Sequence, residues 1–74
     1  MTYKGMPVCI TGCAMDFKVH YLTDPKETPI VRVSTKGDEY NVYGPDGKLW
    51  MAHTNLLYAL QVALPGFEAN DNAQ

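Results

Sequence analysis

The chain has 74 residues, enough for one domain and little more, with a thin margin of stability. A composition of 46% hydrophobic and 19% charged residues excludes global disorder. The net charge of −2 comes from eight acids and six bases, and the bases (Lys4, Lys18, Lys26, Arg32, Lys36, Lys48) are scattered, with no two adjacent. That spread disfavours a phosphate-tracking surface, and it makes too weak a field for an acidic imitation of DNA.

The first residues, MTYKGMPVCITGCAM, carry one Lys but no continuous apolar run followed by a cleavage site. No stretch approaches the ~20 apolar residues of a membrane helix, so the expected setting is cytoplasmic, with no membrane partner. PVCI is short and β-prone. Thr11-Gly12 is expected to turn the chain back as a tight hairpin, since glycine accepts positive φ. CAMDFKVHYL then alternates: Met15, Phe17, Val19 and Tyr21 on one face, Asp16, Lys18 and His20 on the other.

Thr23 to Pro29, with two prolines and mixed charges, reads as a loop. IVRVST and EYNVY flank Lys36-Gly37-Asp38 as a second hairpin, with Val31, Val33, Tyr40 and Val42 inward. Gly44 to Gly47 is a turn leading into KLWMA, with Leu49 and Met51 inward and Trp50 outward.

Thr54 or Asn55 can cap a helix that ends at Leu64, before Pro65 and Gly66. At 100° per residue, Leu56, Leu57, Ala59, Leu60, Ala63 and Leu64 cover its inner side, and Asn55, Tyr58, Gln61 and Val62 its outer side. From Asn55 to Leu64 there is no charged residue. The expected fold class is α+β: a small antiparallel sheet (hairpin plus three-stranded meander) with one C-terminal helix packed on one face. Residues 1–67 form the domain and 68–74 a flexible polar tail.

The cysteines, as CITGC, fit free small core thiols first; a disulfide and a metal pair are the other two readings. Zinc would need two more ligands, and His20 and His53 share no motif with them. The carboxylates sit in turns, Ser34 lacks a nucleophile context, and GPDGK lacks phosphate-loop spacing. The expectation is therefore a chain with no catalytic site, metal or cofactor.

The expected function is a small non-enzymatic protein-binding module that occupies a surface of a larger protein, of the kind used as inhibitors by phages and mobile elements. Its partner surface would be Asn55, Tyr58, Gln61 and Val62, uncharged and anchored by a Tyr. The same strip could instead join two copies as a structural homodimer. A different reading places a single-stranded nucleic acid on the outer face of the sheet, stacked on Tyr43 and Trp50 beside Arg32. The other residues of that face, Asp16, Lys18, His20 and Asn41, make it mixed rather than basic.

Overall fold

The computed structural model describes residues 1–69. Among these residues seven strands and one helix follow in chain order: β1 Thr2–Tyr3, β2 Met6–Cys13, β3 Asp16–Tyr21, β4 Val31–Lys36, β5 Glu39–Tyr43, β6 Leu49–His53, α1 Leu56–Ala63 and β7 Phe67–Glu68. All strands belong to one antiparallel sheet of order β6-β5-β4-β3-β2-β1-β7. The expected split into a hairpin and a three-stranded meander is therefore corrected. β3 pairs directly with β4 across the proline loop, fusing the two parts, and the short strands β1 and β7 extend the sheet.

Alternation assigns the faces. Phe17 pairs with Val33, Val19 with Val31, and Val33 with Val42, so the apolar members of each strand stack in rows. These five are buried, and Val19, Val31, Val33 and Val42 are fully so. At about 1.5–3 kcal/mol per large apolar side chain removed from water, such rows fix the register, because a one-residue slip would turn them all to solvent. The helix packs on this side. It touches β5, β6 and β7, and so spans both edge strands of a sheet that curls as a half-barrel.

The first hairpin turns three residues later than the sequence suggests. β2 continues through Thr11-Gly12, and the turn is Ala14-Met15, with Cys13 opposite Asp16. Gly12 is used for closeness instead: its φ is +133°, and a Cβ there would lie 2.7 Å from both the Asp16 carbonyl oxygen and Phe17 Cα. Met15, expected inward, sits in the turn with 67% of its surface exposed.

The shift also separates the thiols. Cys9 lies opposite His20 and Cys13 opposite Asp16, four residues apart on one strand, or about 13 Å at strand spacing. A disulfide needs Cα atoms within about 7 Å, so the two cannot bridge to each other. Neither is a core thiol: both lie on the outer face, Cys9 half-buried and Cys13 exposed. Among the described residues no group of three or more His, Cys, Asp or Glu could hold a metal ion.

Near β6 a bulge interrupts the ladder. Val42 faces Met51 but Tyr43 faces Leu49, so Trp50 is the extra residue. This corrects Leu49, which the bulge turns to the outer face beside Tyr43, where it is exposed. Glu68, expected to begin the tail, pairs with Thr2 in β7; the rest of the expected tail, apart from Ala69, lies outside the described residues. No helix among the described residues is long and apolar enough to cross a membrane.

Candidate functional site

The helix is short because its caps are close together. The Asn55 Oδ1 accepts a hydrogen bond from the Tyr58 backbone N–H at 3.0 Å, satisfying one of the orphan donors of the first turn. At the other end the Leu64 N–H donates to the Leu60 carbonyl at 2.8 Å, and Pro65 follows. No acid lies in the first turn and no base in the last, so the helix dipole is uncompensated. Two turns without that help do not persist alone; the buried Ala59, Leu60 and Leu64 hold the helix to the sheet.

The inner face is narrower than expected. Leu57, assigned to it from the helical wheel, lies about 90° from the centre of the buried stripe and is displaced to its rim. It is 45% exposed, against 50% for Tyr58 and 52% for Val62, and Gln61 is exposed between them. Leu57 and Gln61 stand one turn apart, as do Tyr58 and Val62. Together they form one uncharged strip in which three of four side chains are apolar or aromatic.

The strip is braced at its start. Tyr58 stacks on His53, with ring centroids 4.5 Å apart and planes tilted by 36°. The Asn55 N–H donates to His53 Nδ1 at 2.9 Å, which fixes that nitrogen as the acceptor and orients the imidazole. Tyr58 is thus pre-positioned, which lowers the ordering cost of any contact it makes. Asn55 differs from the other three expected interface residues. It is exposed, but its side chain is engaged in the cap.

The second constellation is on the outer face. Arg32 and Tyr43 are direct partners across β4 and β5. The Trp50 indole lies against Gly44, where a Cβ would stand 2.3 Å from Cε2 and 2.4 Å from Cζ2, so only glycine leaves the ring its room there. The turn itself is closed by hydrogen bonds from Gly47 N–H to the Gly44 carbonyl at 2.9 Å and from Lys48 N–H to Asp46 Oδ1 at 3.0 Å. A recess of about 290 Å³ beside it is lined by Thr28, Pro29, Val31, Arg32, Gly44, Pro45 and Gly47. Among the described residues Arg32 is its one charged lining residue, too little for a backbone-tracking groove.

One outer-face residue is not solvated as expected. His20 is 3% exposed. The loop between β3 and β4 returns to its own strand, where Lys18 on β3 pairs with Glu27 on the loop at 3.6 Å. Asp24 is held in place by accepting from the Lys26 and Thr28 N–H groups at 3.0 and 3.1 Å, which hold its carboxyl below the ordinary aspartate range. Period-two alternation has no signal for a loop that returns over its own strand.

The fold and these surfaces define a small antiparallel sheet domain closed by one helix. The chain matches no protein-family model, no curated protein and no solved structure.

Proposed function

We propose that this chain is a non-enzymatic protein-binding module that seats Leu57, Tyr58, Gln61 and Val62 in an apolar groove of a larger protein. The observation that carries the reading is the uncharged, half-exposed strip on a helix whose opposite face is fully committed to the core. Helix-in-groove recognition uses anchors one turn apart on one face, which is the spacing here. Tyr58 contributes area and a hydroxyl, and its stacking on His53 limits the freedom lost on binding. Inhibition of the partner is the simplest action for a module that covers a surface without chemistry of its own. The free thiols fit a reducing, cytoplasmic setting.

The test is a pair of charge substitutions, Tyr58→Glu and Val62→Glu, in captures from host lysate. One protein retained by the parent chain in high salt and lost by both variants, with unchanged melting temperatures, supports the reading. Equal capture by parent and variants refutes it. Light scattering covers the second reading, a homodimer through the same strip: a dimer converted to monomer by Val62→Glu would identify the partner as a second copy. The direct pairing of Arg32 with Tyr43 beside Trp50 keeps a nucleic-acid reading in view; it predicts binding to single strands that weakens steeply with salt.

A further inference from the structure

Away from the helix strip, two turns and a cation enclose the recess beside Gly44. The chain enters β4 from Pro29 and leaves β5 at Gly44, and Arg32 pairs with Tyr43 between these points, so both turns stand at one end of the same strand pair. Thr28 and Pro29 form one wall, Gly44, Pro45 and Gly47 the other, and Arg32 stands on the strand between them. Each wall is fixed by its own hydrogen bonds. The Asp24 carboxylate accepts from the Lys26 and Thr28 N–H groups, and the Asp46 carboxylate from the Lys48 N–H. The Gly44 N–H donates to the Lys48 carbonyl at 2.9 Å and closes the second turn. A recess built in this way is formed before anything enters it, so little ordering is lost on binding. Its volume of about 290 Å³ stands at the lower limit of small-molecule pockets, which run from roughly 300 to 1,000 Å³.

The charge in this recess is unmatched. Among the described residues the Arg32 guanidinium has no ion pair or hydrogen bond, and no carboxylate lines the recess with it. Asp16 and Glu27 share a second recess with Arg32, and there Glu27 pairs with Lys18 at 3.6 Å. We propose that the recess beside Gly44 binds a small carboxylate that carries one apolar group. The planar fork of a guanidinium takes both oxygens of a carboxylate. One cation matches one negative charge. A phosphate monoester, which carries nearly two, would call for more donors than Arg32 and the Thr28 hydroxyl supply. Pro29 and Pro45, one on each wall, give the apolar group its contact. The helix touches β5, β6 and β7 but not β4, so this recess and the helix strip are separate surfaces that can be tested apart.

The experiment is an amide NMR titration of the parent chain with phenylacetate at millimolar concentrations. Saturable shifts should appear at Thr28, Arg32, Gly44 and Gly47. Phenylacetamide, which has the same shape without the charge, should bind on the order of tenfold more weakly. Arg32 is exposed, so Arg32→Gln should keep the parent spectrum and lose the shifts, while Arg32→Lys, with the charge but not the fork, should keep only part of the affinity. N-acetylphenylalanine separates two sources of the same chemistry. Binding tighter than that of phenylacetate assigns the recess to the carboxyl end of a peptide, and equal or weaker binding assigns it to a free small acid. Shifts that do not saturate, equal binding of the amide, or undiminished binding by Arg32→Gln overturn the proposal. Acetate binding as tightly as phenylacetate also overturns it, because the two walls would then contribute nothing.

Discussion

Replacing Gly12 by alanine probes the close approach of β2 and β3. The new Cβ would stand 2.7 Å from Asp16 O and Phe17 Cα, where ordinary contact begins near 3.4 Å. Both neighbours are backbone atoms, so relief requires the ladder to part by roughly 0.7 Å or more, at about 1–3 kcal/mol for overpacking. A φ of +133° adds backbone strain of about 1–3 kcal/mol for any residue with a side chain. Midway through both ranges the loss is about 4 kcal/mol, or a fall in melting temperature of about 15–30 °C for a domain this small. Gly37→Ala is the control: its φ is +65° and no atom lies within 4 Å of its Cβ, so about 1–2 kcal/mol is expected. Thermal and urea unfolding of both variants measure the difference. Equal losses at the two glycines would show that strand proximity at Gly12 contributes nothing.

Asn55→Ala should cost about 1 kcal/mol by removing the cap, while Asn55→Asp should cost far less, as read from urea midpoints; equal losses would point away from capping. Thr11 Oγ1 is buried with no hydrogen-bond partner among the described residues, so Thr11→Val should be neutral or stabilising by up to about 1 kcal/mol in the same assay. The Asp24 carboxyl is depressed in the folded chain, so its ionised form favours folding. That contribution is present above the ordinary aspartate pKa and is lost as pH falls through the lower folded value. Asp24→Asn should therefore flatten the acid limb of a melting-temperature profile, and an NMR titration of the parent should find the carboxyl below the ordinary range.

The core was legible because alternation is a direct consequence of strand geometry: Phe17, Val19, Val31, Val33, Val42 and Met51 all share the side it assigns to them. The helix was legible for a similar reason, with Asn55 and Pro65 marking its ends. What was not legible depends on events that change the count or add a layer. A bulge at Trp50 reverses the side of Leu49, and His20 is buried on the face that alternation assigns to solvent. The two-residue strands β1 and β7 are too short to show a period at all. Of the candidate surface, Tyr58, Gln61 and Val62 were visible on the helical wheel. Leu57 was not, because the width of a buried stripe is set by how closely the sheet approaches the helix.

The pairing of Thr2 with Glu68 and of Tyr3 with Phe67 has a consequence for synthesis. Strands β2 to β6 each pair with the next along the chain, so they can assemble as they leave the ribosome. The last position in the sheet cannot be filled until residue 68 has emerged, because it joins the two most distant parts of the described chain. Until then β1 has an open edge, and the helix has nothing to rest on at its β7 side. The nascent protein is thus an incomplete sheet with an open edge at β1, and its period of greatest risk from aggregation ends only when Phe67 and Glu68 have paired there.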